Sequence, residues 1–97
     1  MSGAPPLSLS ATIMASDEQI CCDVADEVVL LSVQNGQYYG LNPVGASIWR
    51  LIQKPRTLAE VRDRLLDEYA DVSIDTCARE VLAFATTMLA LGLIELL

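Results

Sequence analysis

Asn35-Gly36 stands between two apolar runs, and Asn42-Pro43 follows shortly after. Asn-Gly in this setting is the strongest short-range hairpin signal, because a type I′ turn needs φ > 0 at both central residues. The run before it, Glu27 to Gln34, is rich in β-branched and aliphatic residues, and the run after it, Gln37 to Asn42, carries Tyr38 and Tyr39. Asn42-Pro43 ends the second strand and opens a helix, with Asn as N-cap and Pro at the first helical position. A two-residue turn pairs Gln34 with Gln37, Ser32 with Tyr39 and Leu30 with Leu41. One face of the hairpin then carries Val28, Leu30, Ser32, Tyr39 and Leu41, and the other Val29, Leu31, Val33 and Tyr38. Both faces are apolar, and a single layer of helices covers only one. The second face is left for the N-terminal segment, for a second copy, or for another chain that completes a site.

The rest of the chain fits around this hairpin. Ninety-seven residues make one domain. Residues 1–17 read as an N-terminal segment, a loose tail over 1–6 and an extra strand over 7–14, where apolar and polar residues alternate. Residues 18–97 read as the domain proper. A strand over 18–24, a turn at Ala25-Asp26, a strand over 27–34 and a strand over 37–42 form an antiparallel meander, with 27–34 central and 37–42 at an edge. A helix over 43–53 stops at Lys54-Pro55-Arg56. Thr57 and Glu60 form a capping box for a helix over 58–69. Ser73 or Asp75 caps a helix over 74–91, Gly92 is its C′ glycine, and Leu93 to Leu97 folds back as a strand. Three strands followed by three helices, the first two tightly connected, give an α+β fold resembling a winged helix-turn-helix.

Composition excludes much chemistry. There is no histidine, so the commonest general base and metal ligand is missing. Asp17-Glu18, Asp23 and Asp26-Glu27 lack the glycine and terminal glutamate of an EF-hand and read as solvated turn acids. Serines and cysteines have no base to activate them. No catalytic residue, metal site or cofactor is expected. Cys21, Cys22 and Cys77 are an odd set without a Cys-x-x-Cys pair, which fits free thiols in a reducing cytoplasm. Six basic residues against thirteen acidic ones give a net charge of −7. That balance argues against nucleic acid and against an anionic membrane surface. The longest apolar stretch, Val81 to Ile94, is too short to span a bilayer. Hydrophobic residues make up 53% of the chain, so part of the apolar surface is expected to meet a partner.

The edge strand is the informative element. Proteins usually blunt exposed edges with Lys, Pro or bulges, yet Gln37, Tyr38, Tyr39, Gly40 and Leu41 include no charge and no proline. Gly40 permits close approach of a second backbone. With a two-residue turn, Tyr38, Gly40 and Asn42 turn their backbone groups to the free edge. Such an edge beside an apolar groove suits β-strand addition of a peptide. The last helix supplies the other wall, where Cys77, Ala78, Val81 and Ala85 lie on its apolar arc and the small side chains leave room.

The run Asn35-Gly36-Gln37-Tyr38-Tyr39-Gly40-Leu41-Asn42, followed by Val44-Gly45-Ala46-Ser47-Ile48-Trp49, resembles the PqqD-like family of RiPP recognition elements over roughly Glu18 to Leu96. The resemblance implies a winged-helix-like domain that binds the leader part of a ribosomally made precursor peptide without catalysis. A chain of this length most resembles the leader-binding proteins of lasso-peptide biosynthesis. Its implied partners are the precursor leader, a separate leader peptidase of cysteine-protease type, and a cyclase that acts afterwards. Three alternatives stay open from the residues: a peptide chaperone for a radical enzyme, as in the pyrroloquinoline quinone pathway; a winged-helix transcription regulator; and self-association as a homodimer. An acidic carrier protein is excluded by the missing Asp-Ser-Leu attachment motif.

Overall fold

The computed structural model describes residues 7–24 and 27–97; the expected tail over 1–6 and the turn at Ala25-Asp26 lie outside the described residues. Strands β1 (Thr12–Ala15), β2 (Gln19–Val24), β3 (Glu27–Ser32) and β4 (Tyr38–Leu41) are followed by helix α1 (Pro43–Leu51), a short β5 (Arg56–Thr57), helices α2 (Leu58–Glu68) and α3 (Ile74–Ala90), and β6 (Ile94–Leu96). The fold is α+β. The expected meander is present as one antiparallel sheet in the order β2-β3-β4, with β3 central and β4 at an edge.

The hairpin register differs from the expected one. Leu30 pairs with Tyr39 and Val28 with Leu41, so the partners of β4 are displaced by two residues along β3. The connection is longer than a two-residue turn. Ser32 N–H donates to the Gln37 carbonyl at 2.9 Å, and Gly36 N–H donates to the Ser32 carbonyl at 2.9 Å. Gly36 has φ 70°, the left-handed conformation a longer hairpin loop needs at its last position. Asn35 acts through its side chain, whose Oδ1 accepts from Gln37 N–H at 2.9 Å. Side chains alternate with period two, so a displacement of two leaves every residue on its expected face. Val28, Leu30 and Ser32 are accordingly buried, while Val33 and Tyr38 are exposed.

Local signals place the helices. Asn42 caps α1, its Oδ1 accepting from Gly45 N–H at 2.7 Å, with Pro43 at the first position. α1 ends at Leu51, two residues short of the expected Gln53. Thr57 and Glu60 cap α2 reciprocally, and the Thr57 N–H and hydroxyl hold the Glu60 carboxyl below its ordinary range. Such a cap is worth about 1 kcal/mol. Ser73, rather than Asp75, caps α3. At the far end of α3, Gly92 (φ 74°) donates to Leu89 and Leu93 N–H to the Met88 carbonyl. That is the Schellman pattern, and it turns Leu93 into the core at 0% exposure.

A second antiparallel sheet, β5-β1-β6, was not expected. Residues 7–14 do not make one strand: Ala11 N–H bonds back to the Ser8 carbonyl, and extended pairing begins at Thr12. The C-terminal strand is present and pairs with β1, Ile13 opposite Leu96 and Ala15 opposite Ile94. This arrangement carries Ile13 into a single core with Leu30, Ile48, Trp49, Ile52, Leu58, Leu65 and Val81. Fully burying a side chain of this kind stabilises the fold by roughly 1.5–3 kcal/mol. The inner face of β2-β3-β4 packs on α1. Its outer face carries the exposed Ile20, Val24, Val33 and Tyr38, and β1 belongs to the other sheet rather than covering it.

Candidate functional site

An open cavity of about 620 Å³ runs between β4 and α3. Tyr39, Gly40, Leu41 and Asn42 form its strand side, and Val44, Gly45 and Ile48 of α1 continue it. Leu65 and Tyr69 from the end of α2 and Val72 close its inner end. The opposing wall is a stripe of α3 containing Cys77, Glu80, Phe84, Thr87 and Met88, residues spaced three, four, three and one apart on one helical face. Most of this lining is apolar, as expected of a site that removes a ligand from water.

The strand side offers backbone as well as surface. Because Ser32 and Gln37 exchange a ladder bond, alternation turns Gln37, Tyr39 and Leu41 toward β3 and Tyr38 and Gly40 toward the free edge. Gly40 is not in the left-handed region, and a Cβ built there meets nothing within 4 Å. The edge is therefore open to a second chain at this point. Gly45 plays a different part. A Cβ there would come within 3.2 Å of Phe84 Cε2, so the missing side chain lets Phe84 lie against the start of α1. Tyr39 is steadied by its hydroxyl, which accepts from Asn35 Nδ2 at 3.2 Å. Tyr69 is held at the inner end by Ser47 Oγ, 3.4 Å from its hydroxyl. Cys77 lies on the floor, its Sγ 3.6 Å from the Arg62 carbonyl, and burial pushes its thiol pKa up. That makes it a small apolar wall rather than a nucleophile.

Five of the ten site residues expected from sequence line the groove: Tyr39, Gly40, Leu41, Asn42 and Cys77. Gln37 belongs to the exposed hairpin loop, and Tyr38, 71% exposed, stands on the outer face of the sheet. Asn42 lines the groove, but its side chain is committed to capping α1. Ala78, Val81 and Ala85 do not line it; Val81 and Ala85 are 0% exposed in the core. The helix is turned away from the expected orientation because its small and β-branched residues pack against the core. The groove face instead carries Thr76, Glu80, Ala83, Phe84, Thr87 and Leu91. A signal for it was present: Thr76, Glu80 and Thr87 recur at i, i+4 and i+11, one helical stripe that interrupts the apolar arc of α3.

The family model of coenzyme PQQ synthesis protein D (PqqD) matches residues 27–94, from the start of β3 into β6. The chain belongs to the PqqD family. Among solved structures, this PqqD-family chain is similar to TbiB1 in complex with the TbiA(beta) leader peptide, at 34% identity and TM-score 0.77 over 84% of this chain and 94% of that one. It shares its fold with a lasso peptide synthetase B1 complexed with the leader peptide, at 22% identity and TM-score 0.74 over 86% of this chain and 96% of that one. Comparison with curated proteins gives no match. Membership of the PqqD family makes this a binding protein and not an enzyme. No helix among the described residues is long and apolar enough to cross a membrane.

Proposed function

We propose that this chain captures the leader segment of a ribosomally made lasso-peptide precursor and presents it to a separate processing enzyme. The observation that carries the reading is an uncharged edge strand, β4, lying directly beside a mostly apolar groove. A peptide added to β4 gains main-chain hydrogen bonds from Tyr38 and Gly40, while every second side chain enters the groove. Leader complexes of TbiB1 and of the lasso peptide synthetase B1 support this assignment by likeness.

Delivery to a leader peptidase of cysteine-protease type, followed by a cyclase, belongs to the same proposal. What favours it is a second apolar surface that the groove does not use. Ile20, Val24, Val33 and Tyr38 are each more than half exposed and lie on or beside the outer face of the β2-β3-β4 sheet. A surface of this kind on a binding protein suits a second macromolecule. Self-association through this face is the competing use.

The test uses a lasso-type precursor sought among the genes that neighbour the one for this chain. Calorimetric titration with its synthetic leader should give saturable one-to-one binding, and absence of binding overturns the reading. Incubating the chain alone with the full precursor should leave the precursor mass unchanged. Adding the neighbouring peptidase should release the leader faster than the peptidase does by itself. A gel shift with duplex DNA at physiological salt would instead revive the regulator reading, against which the charge of −7 stands.

A further inference from the structure

The groove between β4 and α3 has a sign. Of the residues that line it only Glu80 is charged at neutral pH, and no Lys or Arg is among them. Of the other polar side chains of the lining, all but the neutral Thr87 hydroxyl are already engaged. The Asn42 amide caps α1, the Thr76 hydroxyl accepts from Ser73 Oγ at 2.9 Å, and the Tyr39 and Tyr69 hydroxyls contact Asn35 and Ser47. The Glu80 carboxylate has neither a hydrogen bond nor an ion pair among the described residues; the salt bridge of this region joins Arg62 to Asp63. Its own helix supplies no cation at the positions that would reach it. Thr76 and Cys77 precede it, and Ala83 and Phe84 follow it, at the spacings where helical side chains meet.

An exposed carboxylate is at ease in water, but an occupant of the groove removes that water. A neutral or acidic occupant would leave the charge covered and uncompensated, which is the costly outcome for a charged group. A cation brought by the occupant reverses this and uses the negative field of a chain with net charge −7 to speed encounter. We propose that the groove selects a peptide carrying a Lys or Arg side chain that seats against Glu80. The proposal rests on strand addition to β4 and sharpens it. Side chains of an added strand alternate, and those facing the groove share one parity. The cation therefore stands an even number of residues from the apolar side chains that fill the rest of the cavity. A leader with an acid at that place is rejected.

The experiment titrates the leader of the neighbouring precursor into wild type, Glu80→Gln and Glu80→Lys at low and high salt. Glu80 is exposed on the helix surface, so both variants should keep the wild-type circular dichroism. Glu80→Gln should weaken binding by about 3- to 10-fold and Glu80→Lys by more than about 10-fold, the differences shrinking at high salt. Replacing the Lys and Arg residues of the leader by Glu, one at a time, should find one position that matters, and Glu80→Lys should restore binding of that leader. Wild-type affinity in Glu80→Lys, or no leader position rescued by it, overturns the proposal while leaving leader binding intact. If wild type binds no leader at all, the functional reading fails. Two capped heptapeptides alternating apolar and polar residues, with Lys or Glu at the centre, then decide this point alone. Wild type must prefer the Lys peptide and Glu80→Gln must not.

Discussion

Strands β2 and β4 flank β3 on opposite sides, and each leaves a row of backbone groups without a partner strand among the described residues. They are finished differently. β2 is preceded by Asp17 and Glu18 and carries Asp23 within it, all exposed. Charges of this kind discourage pairing with another chain. β4 carries no charge, includes a glycine whose Cβ position is open, and borders a cavity walled by α3. The same sheet thus has a guarded edge facing solvent and a bare edge facing a groove. An edge left bare is a hazard unless a specific chain is meant to fill it. The contrast points to β4 as the edge kept for a ligand.

The largest expected effect comes from breaking β4 itself. Tyr39→Pro removes an N–H that faces Leu30 across the ladder and leaves that carbonyl unpaired in the core. The hairpin should not form, and the variant should lose its cooperative thermal transition. Gly40→Pro removes only an outward N–H, at a residue whose backbone is not left-handed. It should fold normally by circular dichroism and lose about 1–3 kcal/mol of leader binding. Full-strength binding by a folded Gly40→Pro protein would sink strand addition at this edge. The converse experiment strips the guarded edge. Glu18→Val with Asp23→Val should make the protein associate as its concentration rises, seen by light scattering, while the wild-type edge does not pair. The smallest effect is expected of Cys21→Pro. Cys21 points its backbone away from β3, because Val33 N–H bonds to the Glu18 carbonyl and fixes the alternation. Leader affinity should stay within about twofold, given that no bond to the ligand is lost. A large loss there would mean that the ligand pairs with β2.

Much of this contrast was legible from residues alone. Asn42-Pro43, Thr57-x-x-Glu60 and Gly92 act through bonds to residues three or four away, so their caps follow from local sequence. The faces of the hairpin were legible although the register was not, because parity survives a displacement of two. Asn-Gly did not form a two-residue turn. The Asn35 amide and a four-residue loop from Val33 to Gly36 satisfied the backbone by another route. The β5-β1-β6 sheet was hidden because its strands are two to four residues long and pair Thr12 with Thr57 and Met14 with Glu95. No local pattern encodes partners so far apart. The orientation of α3 was ambiguous because its apolar arc is wide. Choosing its small residues favoured Val81 and Ala85, which the core takes, over Glu80 and Phe84, which the groove takes.

The pairing of β1 with β6 has a further consequence. Ile13 lies beside Leu96, and Leu97 N–H reaches the Thr12 carbonyl at 2.8 Å. Strands β1 and β6 thus lie side by side on a sheet separate from the one that carries the edge of β4. Closing a connection between neighbouring points costs little chain entropy. A link made across the β1–β6 pair would accordingly leave the core unstrained. Closure of the chain is therefore the work of the β5-β1-β6 sheet, and it leaves the sheet that carries the groove edge untouched.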